Sequence, residues 1–132
     1  MAQNVTPVVL KVQGFEDREV LKVNYKFDQE TDLEGQTTGI PRGGRVNIRV
    51  KAMNDGNNQL LQWMLSSHDP RQMTIVFNNT KDGSLMKQIE GVDCYCVHYI
   101  ERWEDQEMHY EDIDVVCREL KNGPVSYENP WK

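Results

Sequence analysis

Glu30-Thr31-Asp32-Leu33-Glu34-Gly35-Gln36-Thr37-Thr38-Gly39-Ile40-Pro41-Arg42-Gly43-Gly44 divides the chain into two patterned halves. The stretch holds four glycines and one proline and almost no apolar side chains, so it supports neither a buried strand nor a helix. On both sides the pattern changes to strict alternation. Upstream, Leu21, Val23, Tyr25 and Phe27 interleave with Lys22, Asn24, Lys26 and Asp28; downstream, Val46, Ile48 and Val50 interleave with Arg45, Asn47, Arg49 and Lys51. Period-two spacing predicts half-buried strands, so two strands launch and receive one polar loop over 30–44. Loops beyond about 12–15 residues are uncommon in compact domains unless they have a task. Two arms of about seven residues each reach ~23 Å when extended, against a radius of gyration of ~14 Å for a domain of this length. The loop is therefore expected to project and touch another molecule; the plainer alternative is a surface insertion.

The totals narrow the rest. A chain of 132 residues, 38% hydrophobic and 27% charged, predicts one globular domain spanning 1–132. A net charge of −6 argues against a nucleic-acid partner, which demands a basic surface. No run approaches the ~20 apolar residues that span a bilayer, so no membrane insertion is expected. The first residues, Met1 to Pro7, lack the basic end and long apolar segment of a signal peptide. Three cysteines, an odd number, fit a reducing compartment better than a disulfide framework. Synthesis in the cytoplasm, with any export bypassing the signal-peptide route, is the expectation.

In chain order, Val8 to Val12 reads as a first strand, joined through Gly14 to a second over about 19–29, a hairpin by its short linker. The third strand covers about 45–52. Asn54 to Asn58 is a turn cluster that supplies an N-cap, and the one convincing helix follows over about 59–67. Leu60, Leu61, Met64 and Leu65 form its apolar stripe, which must pack on the sheet. Pro70 ends it. Met73 to Asn78 and Leu85 to Glu90 predict an antiparallel pair around a polar turn. Gly91-Val92-Asp93 is expected to break the second of these, Cys94 to Trp103 to form a sixth strand, and Met108 to Cys117 a seventh. The tail over 121–132, with Gly123, Pro124 and Pro130, reads as irregular. The fold class is mainly β: an antiparallel β-barrel or two-sheet sandwich with one short flanking helix and a long protruding loop.

Little here points to chemistry. Cys94, Cys96 and His98 fall on one face of a regular strand, but no fourth zinc ligand has a recognisable spacing, and packing is the simpler role. Pro41-Arg42-Gly43-Gly44 feeds a strand rather than a helix N-terminus and lacks the lysine of a phosphate loop. The carboxylates from Glu101 to Asp114 crowd one hairpin tip rather than face each other across a cleft. No catalytic residue, cofactor or metal is expected, and the chain is read as a non-enzyme. The third strand is basic (Arg45, Arg49, Lys51) where 101–114 is acidic, which pairs these segments either within one sheet or between copies.

Several segments together carry a likeness. Gln29-Glu30-Thr31-Asp32 leads through Gly35 and Gly39 to Pro41-Arg42-Gly43-Gly44, followed by Val46-Asn47-Ile48-Arg49-Val50, Leu61-Gln62-Trp63-Met64-Leu65, Cys94-Tyr95-Cys96-Val97-His98-Tyr99 and Asn129-Pro130-Trp131. In this order the chain resembles the Hcp (TssD) family of type VI secretion tube proteins, over nearly its whole length. The resemblance implies a β-barrel that assembles into homohexameric rings, stacked into a hollow tube that a contractile sheath expels with spike and effector proteins. It implies a subunit and ring-stacking interface at Thr31, Asp32, Gly35, Gly39, Pro41, Arg42, Gly43 and Gly44. The competing class is a small-ligand or carbohydrate-binding β-sandwich, with the loop closing over a pocket and Trp103 or Trp131 stacking on a sugar.

Overall fold

Alternating side chains need a two-sided environment, and here one antiparallel sheet supplies it by curling until its edges meet. The computed structural model describes residues 7–37, 43–53, 55–66, 68–104 and 108–129. Its elements are β1 (Val8–Val12), β2 (Arg18–Tyr25), β3 (Arg45–Lys51), α1 (Gln59–Leu65), β4 (Arg71–Asn78), β5 (Leu85–Glu104), β6 (Met108–Asn122) and β7 (Val125–Glu128). The sheet runs β3-β2-β1-β4-β5-β6, and β3 pairs with β6 to close a six-stranded barrel. β7 adds to β6 beyond the end of β3. Of barrel and sandwich, the barrel is what forms. Leu10, Val46, Ile48, Val50, Ile75, Ile113 and Val115 fill it, each with no exposed surface.

The helix contributes less of its stripe than expected. Leu60 and Trp63 are buried, while Leu65 is exposed. Trp63 sets this rotation: its ring meets Phe15 edge-on at 6.0 Å and its indole N–H donates to the Asp69 carbonyl at 2.8 Å. Because β3 runs from the long loop to α1, the loop and the helix leave the barrel at opposite ends.

Three irregularities depart from the sequence reading. Leu21 was expected inward, but a bulge between Val20 and Lys22 turns it outward and gives the core position to Val20. Gly91-Val92-Asp93 does not end a strand. β5 is continuous over twenty residues, bending at a register shift where Asp93 takes φ +50° and its carboxylate accepts from Arg118 and Gln72. A further bulge between Cys96 and His98 inverts the alternation: Cys94 and Cys96 face in, His98 is exposed, and Tyr99 returns to the core. The expected shared face of Cys94, Cys96 and His98 is therefore not formed. The tail also differs, since β6 extends through Asn122 and β7 follows after a turn at Gly123 with φ +60°.

Candidate assembly surface

The charge contrast resolves inside the subunit. Arg45 meets Asp114 at 2.8 Å and Arg49 meets Asp112 at 3.0 Å, across the β3–β6 seam that closes the barrel. Arg49 also lies 4.1 Å from the Tyr110 ring centre. Asn47 donates to Asp114 at 2.6 Å. Partial burial would raise the Asp114 pKa, but the Asn47 and Arg45 hydrogen bonds outweigh it and hold the carboxyl below its ordinary range. Deeper in, Arg18 and Glu111 form a buried ion pair at 2.5 Å, and the Tyr99 hydroxyl donates to the other Glu111 oxygen at 2.7 Å. Burial and that hydrogen bond push the Tyr99 pKa up.

With the seam's ion pairs made inside the subunit, the long loop is one of the stretches that face outward, with 80–87 another. Its residues from Lys26 to Thr37 are all exposed. Its tip is nevertheless ordered by its own bonds. The Asp32 carboxylate accepts from the Glu34 and Gln36 N–H groups, each at 2.9 Å. The Asp32 carbonyl accepts from Gly35 N–H at 3.0 Å, its own N–H donates to the Gln36 carbonyl at 2.8 Å, and Thr31 bridges to Thr37. Gly35 takes φ +84° with open space around it, so its requirement is purely conformational. Local Asx-type bonding of this kind holds a turn without tertiary contacts. At the apex of this turn Leu33 is 106% exposed relative to a free residue.

The other end of the loop is a clamp. Gly43 lies so close to Phe27 that an added Cβ would stand 2.1 Å from the ring. Phe27 stacks edge-wise on Tyr127 at 4.9 Å, and the Tyr127 hydroxyl accepts from Gly43 N–H at 3.1 Å. Gly44 takes φ +84° against the Asn129 amide, and its carbonyl accepts from Cys117 N–H. The returning chain is thus pinned between Phe27, just past β2, and the end of β7 through Tyr127 and Asn129.

The expected interface residues therefore divide. Thr31, Asp32 and Gly35 build the tip; Gly43 and Gly44 anchor the root; Gly39, Pro41 and Arg42 lie outside the described residues. Sequence reasoning overlooked Leu33, which stands out only as the one leucine within a polar run. It also missed the reason for the paired glycines, which is contact with Phe27 and Asn129.

A cavity of about 450 Å³ lies between α1 and β5, lined by Trp63, Met64, Tyr95, Cys96, Val97 and Val116. None of the described loop residues lines that cavity. Trp103 sits near the far tip of the β5–β6 hairpin, at the end opposite the loop. A second cavity, of about 460 Å³, does lie at the loop's root, lined by Tyr25, Lys26, Asp28, Gly43, Arg45 and Asp114, and Trp103 is not part of it. Among the described residues no group of three His, Cys, Asp or Glu side chains is placed to hold a metal.

Comparison with known proteins gives a consistent answer. Residues 6–132 match the family model described as TssD, Hemolysin coregulated protein Hcp (TssD). Hcp1 from Flavobacterium johnsoniae superposes with a TM-score of 0.85 at 27% identity, over 92% of this chain and 98% of that one. Hcp1 from the E. coli EAEC 042 pathovar gives a TM-score of 0.75 at 14% identity, over 96% and 100% of the two chains. The sheath/tube terminator of an extracellular contractile injection system gives 0.62 at 14% identity, over 93% and 97%. At these last two identities the likeness is one of fold. No curated protein sequence matches the chain significantly.

Proposed function

From the chain's membership of the Hcp (TssD) family, which makes it a tube subunit of a type VI secretion system, we propose that six copies close into a ring and that rings stack through the 30–44 arm. The stacked rings form the inner tube, which the sheath expels together with spike and effector proteins. Assembly takes place in the cytoplasm, and the sheath's contraction carries the tube out of the cell.

The observation that carries the arm's role is a fully exposed leucine held at the apex of a turn that supports itself. A surface leucine by itself is ordinary. One on a preorganised projection is a contact whose ordering entropy is already spent before binding. In this reading the arm meets a surface of the neighbouring copy other than that copy's own arm, so the contact joins unlike surfaces. Such heterologous contacts close rings or extend filaments, rather than forming isolated two-fold dimers.

Charge sets a condition on stacking. Six copies of a −6 chain carry −36, so neighbouring rings repel unless local contacts prevail. Stacking is therefore expected to strengthen as salt rises toward physiological levels, where the Debye length is ~8 Å. Sedimentation at two ionic strengths reads this directly, and weaker stacking at the higher salt would contradict it. The arm itself is tested by removing residues 35–39, or by Arg42→Glu, and imaging the protein in negative stain. Folded subunits without long tubes are expected; long tubes in either variant would refute the arm's role.

A further inference from the structure

We propose that Cys94 and Cys117 are a dormant disulfide: two thiols while the subunit stays in a reducing milieu, and one cross-strand bond once it meets an oxidising one. The change of milieu rests on the tube function proposed above; the geometry stands without it. Cys94 on β5 lies directly opposite Cys117 on β6, with the sulfurs 3.0 Å apart as free thiols. Neither residue has any exposed surface.

The backbone already fits the bond. Cys117 N–H donates to the Gly44 carbonyl and its carbonyl accepts from the Asn129 amide, both on the side away from β5. The two cysteines therefore form a non-hydrogen-bonded pair, the closer kind, with Cα atoms about 4.5 Å apart in antiparallel sheets. That falls within the span of about 4.4–6.8 Å that disulfides occupy. Closing the sulfurs to bonding distance takes about 1 Å of side-chain movement. Gly91 makes the room, since a Cβ there would stand 2.5 Å from the Cys94 sulfur and 2.9 Å from that of Cys117. Cys96 does not compete, because Val115 is its cross-strand partner.

The oxidant is a low-molecular-mass disulfide such as oxidised glutathione. One protein thiolate attacks it, forming a mixed disulfide and releasing one small thiol. The second protein thiolate attacks the protein sulfur of that mixed disulfide and releases the other. The protein loses two electrons and two protons, and the oxidant becomes two thiols. In the closed barrel this is slow. The Cys117 hydrogen bond and burial raise the Cys94 pKa far above the ordinary thiol range, and the filled core has no space for a mixed disulfide. The bond is therefore made when the β5–β6 region opens, during folding or on transient unfolding.

The test uses the full chain, unfolded in guanidinium and refolded in oxidised glutathione or in reduced glutathione alone. The products are denatured, alkylated and digested with chymotrypsin, which cuts after Tyr95 and separates Cys94 from Cys96. Oxidative refolding is expected to consume two of the three thiols, yield a Cys94–Cys117 cross-linked peptide about 2 Da lighter than its parts, and raise the denaturation midpoint. Cys96→Ala should behave alike, and Cys117→Ser should give no cross-link. Three alkylated thiols, stable glutathione adducts on the pair, a bond to Cys96, or a lowered midpoint would each overturn the proposal. Sedimentation of the same samples separates the two readings: rings without the bond refute the thiol pair alone, and the bond without rings refutes the tube reading alone.

Discussion

Along the β3–β6 seam the arginines of β3 find their acids far along the same chain, whereas the arm satisfies its polar groups within five residues of each other. The seam uses its charges to close the barrel. The arm uses the Asp32 carboxylate to hold its own shape, and Leu33 is left fully exposed. A basic strand beside an acidic one looked equally able to join two copies; the register Arg45↔Val116 through Lys51↔Tyr110 brings the two strands together inside one. Opposite charges in a sequence thus mark a contact without saying whose, while the apolar residue at the end of this projection has no partner among the described residues of its own chain.

If that division is right, substitutions in the seam should damage the fold and substitutions at the arm tip should not. The largest effect is expected from Glu111→Ala. It leaves the buried Arg18 guanidinium without its carboxylate and with only the Lys51 carbonyl, two of its nitrogens already lacking partners among the described residues, and should cost about 3–5 kcal/mol by denaturant unfolding. A loss below about 1 kcal/mol would mean that the pair does not hold the seam. Next comes Gly43→Ala, whose Cβ collides with Phe27 at the arm's root. Overpacking there should cost about 1–3 kcal/mol, measured in the same way.

Acid gives a smaller and graded effect. Asp114 is held below its ordinary pKa by the net of burial against the Asn47 and Arg45 bonds, and Asp93 is held low by Arg118 and then Gln72. A carboxyl whose folded pKa is depressed stabilises the fold above its unfolded value, and that stability is lost as pH falls through the folded one. Thermal midpoints should therefore be level above the ordinary value of 3.8 and decline below it. Asp114→Asn should flatten part of the decline; an unchanged slope would remove Asp114 from the account. Smallest of all is Asp32→Ala, expected to alter subunit stability by no more than about 0.5 kcal/mol while loosening the tip, seen as faster amide exchange at Glu34 and Gln36.

The fold was legible wherever alternation was regular. β1, β3 and β4 follow their apolar residues, and the polar run at 30–44 separates β2 from β3 as its composition requires. It was illegible at bulges, because one extra residue inverts every later side chain and leaves no compositional mark. Leu21 and His98 were placed on the wrong faces for this reason. Gly91-Val92-Asp93 read as a break because glycine and aspartate also end strands; only the cross-strand bonds of Asp93 show that the chain continues. β7 was missed because a four-residue strand flanked by Pro124 and Pro130 carries too little pattern to outweigh its breakers. At the surface, glycines signalled an unusual backbone but not its cause, which at Gly43 is the Phe27 ring on the loop's outgoing arm.

The most direct test of the account is sedimentation of Leu33→Asp beside the unaltered chain, with a thermal melt of each. The account predicts an unchanged melting midpoint and no species larger than a single ring for the variant. Long tubes formed by the variant at the same concentration would contradict it.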